Sequence, residues 1–247
     1  MNGKIMKRIV ILLCFTVFLT VGVIAQKDAK TKETIIEAKT PQPLELAKLS
    51  LTAVGGEKFR KLKNIVLRGT AEISGSPTQT FPATFAIVYE GEKYSFDIKA
   101  PPIFNFKQIY DGEETYSSMR GVNLPPLNRL GFTLLIKIDE KGYVVAALPE
   151  KFKKKRGFRI TSPEGYYTDF LIDEKTNLVK EYEASFDYNG TTVSTAVAID
   201  SYKDIGGVLI NEKFSQRIEM GQITSYANFK AKDILLDTEL PAGSFKM

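Results

Sequence analysis

The stretch from Leu178 to Leu236 restricts the fold more than any other. It opens as LVKEYEASFDY, turns at Asn189-Gly190 and returns as TTVSTAVAIDSY. Leu178, Tyr182, Ala184, Phe186 and Tyr188 share one parity, while Glu181, Glu183, Ser185 and Asp187 take the other. Period two marks a half-buried antiparallel strand. Asn-Gly is the strongest short-range signal for a two-residue hairpin loop, because both positions need positive φ. Such a loop sets Tyr188 opposite Thr191, Phe186 opposite Val193 and Tyr182 opposite Val197. Apolar then meets apolar on one face, so pattern and turn agree on the register.

The same logic predicts a second hairpin. Phe81, Ala83, Phe85, Ile87 and Tyr89 share a parity, and Tyr94, Phe96 and Ile98 follow Gly91-Glu92. A two-residue loop pairs Tyr89 with Tyr94, Ile87 with Phe96 and Phe85 with Ile98, and sets Glu90 against Lys93. Ahead of it, Ile65, Leu67, Gly69, Ala71 and Ile73 alternate as a first strand. Phe104 to Tyr110 and Glu113 to Met119 pair around Asp111-Gly112. Gly142 to Leu148 reads as a strand, and Phe158 to Thr161 and Tyr166 to Ile172 as a hairpin. Val208, Ile210, Phe214 and Ile218 alternate to a turn near Gly221, and Ile223, Ala227 and Phe229 return. Residues 233–245 read as a loop or short strand.

Two segments are helical. Leu44, Leu46-Ala47, Leu49, Leu51 and Val54 suit an amphipathic helix stopped by Gly55-Gly56, with a short turn over 57–62 after it. Leu127, Leu130, Leu134 and Leu135 suit helical spacing behind Pro125-Pro126. The fold class is therefore mainly β with few helices (α+β). About ten strands in meander order make a single large curved antiparallel sheet, an incomplete β-barrel capped by helices.

Residues 1–25 stand apart. Lys4, Lys7 and Arg8 precede an apolar run from Ile9 to Ile24 that ends at Ala25, the pattern of a cleavable secretory signal, so the protein is expected in the periplasm. The run is short for a spanning helix. Residues 26–42 read as a polar, lysine-rich flexible leader, and 43–247 as one domain. The formal charge of +5 loses Lys4, Lys7 and Arg8 with the signal and no acid, leaving +2. A charge so near neutral gives no general reason to expect nucleic acid. Cys14 leaves with the signal, and the chain has no histidine. That excludes Ser-His-Asp and Cys-His catalysis and the commonest zinc ligand. Nothing in the sequence places two carboxylates in one cleft, so neither an enzyme nor a metal or other cofactor is expected. Asn189-Gly190-Thr191 fits a glycosylation acceptor, although the turn accounts for all three residues. Lys151 to Arg156 (KFKKKR) could dock an acidic partner or anionic head groups, or be a solvated loop.

A sheet this wide must cover its apolar face, and few helices are on offer. Each aromatic left wet would forgo about 2–3 kcal/mol. The sheet either packs its own core or wraps a cavity that takes an apolar ligand. The lining is expected from Leu67, Phe85, Ile87, Tyr89, Phe96, Ile98, Tyr182, Phe186, Val193, Val197, Phe214 and Ile218, under a lid of Leu127, Leu130, Leu134 and Leu135.

The order of several motifs resembles the LolA/LolB-like superfamily of envelope lipoprotein carriers. They are AVGGEKFRKLKNIVLRGT, YDGEETY, GYVVAAL, FRITSPEGYYTDFLIDEKTNLV and YKDIGGVLINEKFSQRI. The resemblance implies a half-barrel whose concave face holds lipid or lipoprotein acyl chains. The alternative is an envelope regulatory or scaffold module of the same fold that binds a protein segment. The protein is expected to be a monomer, and its charge gives it no nucleic-acid partner. Carrier relatives place an arginine near the mouth, and Arg68 is the nearest match, although alternation points it away from the Leu67 side.

Overall fold

The structure, a computed structural model, describes residues 42–76, 79–118, 129–188 and 190–246. The signal and leader up to residue 41, Cys14, Met119, Pro125-Pro126, Leu127 and Asn189 lie outside them.

Helix α1 (Pro43–Ala53) starts at a proline whose preceding N–H, that of Gln42, donates to the Glu45 carboxylate at 3.1 Å. It buries Leu46, Ala47, Ser50 and Leu51, with Val54 just beyond. Leu44 and Leu49 were expected on that stripe but are exposed, because 100° per residue carries them to its flank and its back. A single turn, α2 (Glu57–Arg60), follows and buries Phe59.

Twelve strands then form one sheet among the described residues, against an expected total of about ten, and each lies in a segment that the sequence marked as strand. They are β1 (Asn64–Ser76), β2 (Gln79–Glu90), β3 (Lys93–Ala100), β4 (Phe104–Tyr110), β5 (Thr115–Ser117), β6 (Val144–Ala146), β7 (Gly157–Thr161), β8 (Tyr167–Ile172), β9 (Val179–Tyr188), β10 (Thr191–Ile205), β11 (Val208–Met220) and β12 (Ile223–Leu236). The order is β5-β4-β3-β2-β1-β12-β11-β10-β9-β8-β7-β6, antiparallel at every pairing. The first and last strands of the chain thus meet mid-sheet, and the two edges are the three-residue strands β5 and β6. Edges that short offer little template for a stray partner.

Both hairpin registers hold: Phe186 faces Val193, Tyr182 faces Val197, Phe85 faces Ile98 and Ile87 faces Phe96. One expectation is narrowed and one is corrected. Of residues 233–245, read as a loop or short strand, 233–236 are strand, because β12 runs on to Leu236. Arg68 pairs with Asp233 and Gly69 with Ala231, so Lys232 is an extra residue that flips the parity of β12. The expected central helix is, among the described residues, a 3-10 turn over Phe132–Lys137. Its β-branched and aromatic residues favour a short tight turn over a long α-helix.

One face of the sheet carries the core. Leu67, Phe85, Ile98, Val197, Phe214 and Phe229 pack there with Leu46, Leu51, Phe59, Leu134 and Leu135. α1 lies against β6, β7 and the 3-10 turn. Its end is tied to the sheet by Leu209 N–H donating to the Val54 carbonyl at 3.0 Å, and Ser50 Oγ donates to the Asn177 carbonyl at 2.7 Å. The helices therefore cover the end of the half-barrel that holds the β2–β3, β8–β9 and β10–β11 turns.

Gly69 sits where the β12 bulge presses backbone on backbone. A Cβ there would overlap the Lys230 carbonyl oxygen. Replacing Gly69 by Ala is expected to cost about 3 kcal/mol in urea unfolding, whereas Arg68→Ala, next door but exposed and without an ion pair among the described residues, should stay within about 0.5 kcal/mol.

Candidate functional site

Every expected lining residue lies on the concave face. The register sets Leu67 opposite Ile87, Phe85 opposite Gly69, and Phe214 opposite both Ile199 and Phe229; opposed residues in an antiparallel ladder share a face. Arg68, by contrast, is on the outer face. It borders a hollow of about 350 Å3 with Lys99, Lys232, Asp97 and Asp233.

The concave face is not uniform along its length. Phe85 meets Phe229 and Phe214 edge-on, at ring centroids 5.1 and 6.3 Å apart, and Phe214 stacks on Phe229 at 4.8 Å. Leu67, Phe85, Ile98, Val197 and Phe214 are buried there. Ile87, Tyr89, Phe96 and Tyr182 are half-buried against the same cluster. Moving along β11 and β12 toward their shared turn, the inner face opens by steps. Gln216 and Ala227 are half-buried, Ile218 is 40% exposed, and the facing pair Met220 and Ile223 are 39% and 60% exposed. Phe186 and Val193, at the same end, stay buried in a second, smaller cluster with Leu130 and Ala184.

Residues 129–138 form a strap across this face. Arg129 pairs with Glu164 in the β7–β8 turn, and its Nη2 donates to the Tyr110 hydroxyl of β4 at 3.2 Å. Leu130 fills the second cluster. Gly131 N–H donates to Thr168 Oγ1 at 3.0 Å, and a Cβ on Gly131 would strike the Tyr182 ring. Phe132 lies between Phe59 and Tyr202, at 5.6 and 6.1 Å. Leu134 and Leu135 are fully buried, and Lys137 pairs with Glu92 and Glu140. The strap is thus tied to both wings of the sheet. Of the four expected lid leucines, the three described are all interior.

The KFKKKR run is largely committed to its surroundings. Phe152 is buried, Lys151 pairs with Glu183 at 2.7 Å, and Arg156 donates to the Asn177 side chain at 2.7 Å; Lys153, Lys154 and Lys155 face solvent. Among the described residues no three acidic side chains gather as a metal site.

Met220 and Ile223 were absent from the expected lining. Their signal was in the sequence: Met220 shares the parity of Phe214 and Ile218, and a two-residue turn at Gly221 sets it opposite Ile223. Tyr94, placed in its hairpin but not in the lining, is also on this face, 2% exposed.

Truncating Leu134 to Ala should lower stability by about 2–5 kcal/mol in denaturant titration, and Ile218→Ala by no more than about 0.5 kcal/mol. A comparable loss at both positions would mean that the open end is sealed in solution.

No family model matches the sequence, nor does any curated protein. Among solved structures, a LolA superfamily protein from Nitrosomonas europaea superposes with a TM-score of 0.51 at 10% identity, over 84% of this chain and 98% of that one. A DUF1329 family protein from Desulfovibrio piger gives a TM-score of 0.47 at 10% identity, over 83% of this chain and 98% of that one. An open, strongly curved meander with its helices on the concave side is thus the fold shared with the LolA superfamily protein, as the order of the sequence motifs implied.

Proposed function

We propose that this protein is a periplasmic carrier that shelters an acyl chain of a lipid or lipoprotein on its concave face, reached from the end where Ile218, Met220 and Ile223 lie bare. The reading rests on one observation. The apolar face sealed around Phe214 and Phe229 continues in unbroken register, past Gln216 bonded to Thr195, into Ile218, Met220 and Ile223, which nothing described covers. Water on that strip is displaced when hydrocarbon lies along it, at about 0.8 kcal/mol for each buried CH2. The likeness to the lipoprotein-carrier superfamily supports the same reading.

Binding is reversible burial with no covalent step. The second cluster is the shallow one, and Leu130 is the side chain that occupies it from the strap. A guest advancing from the open end meets Phe186, Val193 and Leu130 first. Displacing Leu130 lets hydrocarbon take its place against the same partners. The ties of Arg129 to Glu164 and of Gly131 to Thr168 set the resistance to that movement. Export rests on the secretory signal read from residues 1–25. No helix among the described residues is long and apolar enough to cross a membrane.

The outer hollow around Arg68 favours a second reading, a module that docks a protein segment with mixed charges on its convex side. Protein purified from its own envelope separates the two. Organic extraction and mass spectrometry should recover acyl lipid near one equivalent. The paired change Ile218→Glu with Met220→Glu should cut that recovery about tenfold or more, since a carboxylate against hydrocarbon is strongly disfavoured, and leave circular dichroism unchanged because both sites are exposed. Lipid-free wild-type protein would refute carriage and leave the docking module.

A further inference from the structure

More than half of the large apolar side chains exposed among the described residues stand at one rim of the sheet. They are Ile103 and Phe104, between β3 and β4, and Ile218, Met220, Ile223 and Tyr226 at the β11–β12 hairpin. The sheet order β4-β3-β2-β1-β12-β11 sets the β1–β2 hairpin between these two groups. The register puts the three tips at one level. A single row of cross-strand partners runs Asn105, Lys99, Thr84, Thr70, Lys230. Ile103 lies two residues beyond that row from Asn105, Ser76 six from Thr70 and Ile223 seven from Lys230. Barrel strands about 4.8 Å apart and tilted by about 35–45° advance by about one to one and a half residues per strand along a level rim. From β4, the three steps to β1 then ask for about three to four residues and the four steps to β12 for about four to six. The register supplies four and five. The sense of the stagger is also the one in which Arg129 joins Tyr110, on the near side of the row, to Glu164, beyond it on the other wing.

The same rim is stripped of charge. Residues 73–89, 100–106 and 220–229 hold no Asp, Glu, Lys or Arg, only apolar residues, glycine, proline and the neutral polar Ser, Thr, Asn and Gln. The nearest charges cancel in pairs: Lys99 meets Asp97 at 3.1 Å and Arg217 meets Glu219 at 3.6 Å. The turns at the other ends of these strands and of their neighbours are built differently, with Glu90, Glu92 and Lys93, then Asp173, Glu174 and Lys175, then Lys203 and Asp204. A surface that docks a protein sets its register with charges and hydrogen-bonding partners. A rim of isolated apolar tips among small neutral residues suits the layer where lipid headgroups meet acyl chains, where Tyr226 and Phe104 are also at home.

We infer that this rim docks on the surface of a lipid bilayer, with Ile103, Phe104, Met220 and Ile223 entering the boundary between headgroups and acyl chains. Ile218, Met220 and Ile223 are at once the edge of the concave face and part of the rim, so a guest passes between bilayer and protein without crossing water. That passage rests on the carrier reading; the docking goes beyond it and is measured with no guest present.

The test is flotation of the mature chain, residues 26–247, with vesicles of phosphatidylcholine, alone or with about one fifth phosphatidylglycerol, at low salt and at about 0.5 M. The chain should partition onto both and hold within about twofold across salt, because the rim brings no net charge. Ile103→Ser, Phe104→Ser and Ile223→Ser together should lower partition about tenfold or more, since interfacial binding scales with the apolar area buried. The melting point should not move, because all three side chains are exposed. Lys153→Gln, Lys154→Gln and Lys155→Gln together should leave partition as it was. The chain has no tryptophan, so Phe104→Trp is a lone reporter. Its emission should shift to the blue on vesicles and be quenched by bromine carried on the acyl chains. Leu235→Trp, exposed at the other end of β12, should show neither. No partition at all, partition that survives the three serines, or partition that needs phosphatidylglycerol and is lost with the three lysines overturns the docking. Any of these leaves carriage standing where acyl lipid is recovered from the envelope preparation. Vesicle binding by protein that yields no lipid keeps the docking and refutes carriage.

Discussion

A slip of one residue anywhere between β9 and β12 would turn Phe186, Val193, Val197, Phe214 and Phe229 out to water and bring Glu183, Asp187 and Glu219 in. Register is therefore what everything else depends on, and it is fixed twice over. The Asn189-Gly190 loop sets β9 against β10, and the apolar parity independently demands the same alignment. Along β11 and β12 the pairing runs unbroken from Lys213 opposite Lys230 to Met220 opposite Ile223. That continuity makes the sealed core and the open end two parts of one surface.

The imbalance between sheet and helix follows from topology. A meander of twelve strands joined by tight turns spends most of its residues in the sheet and leaves little chain to cover it. What is left is used at one end. α1, α2 and the strap close over the turns β2–β3, β8–β9 and β10–β11, and Phe59, Phe132 and Tyr202 pack between them. Among the described residues, the strap brings Leu130 alone to the end nearer the β11–β12 turn, where Tyr166 also packs. The apolar positions there still follow the period-two pattern, so Ile218, Met220 and Ile223 are not strays on a polar surface. They continue the core beyond its cover.

The elements legible in the sequence were those governed by local rules. Turn chemistry and parity placed the two central hairpins to the residue, and an apolar stripe with a double-glycine stop placed α1. The parts that were missed depend on longer-range structure. β5 and β6 were read as strands but too long, over 113–119 and 142–148, because their three-residue extent is set by the edges that β4 and β7 offer them. The end of β12 was lost to the bulge at Lys232, which breaks alternation for a reason set by β1. The lining was identified as a face but not as a gradient, because exposure depends on where α1 and the strap come to rest.

The length of the concave face matches one extended guest. Tyr89 lies at the helix-covered end of β2 and Phe81 at the other, eight residues or about 26 Å along the strand. That is the scale of a long acyl chain laid out straight. A tail entering past Ile218 and Ile223 would lie along the strands toward Phe214, Phe229 and Phe85. The rings in between are closely packed, and the tail needs room among them. The strap is the element able to make that room, because it touches both wings through few ties and its interior side chains, Leu130 foremost, occupy the volume that hydrocarbon would take. The same leucines that stabilise the empty protein therefore compete with the guest, and affinity is set by the difference between the two fillings rather than by the area of the face.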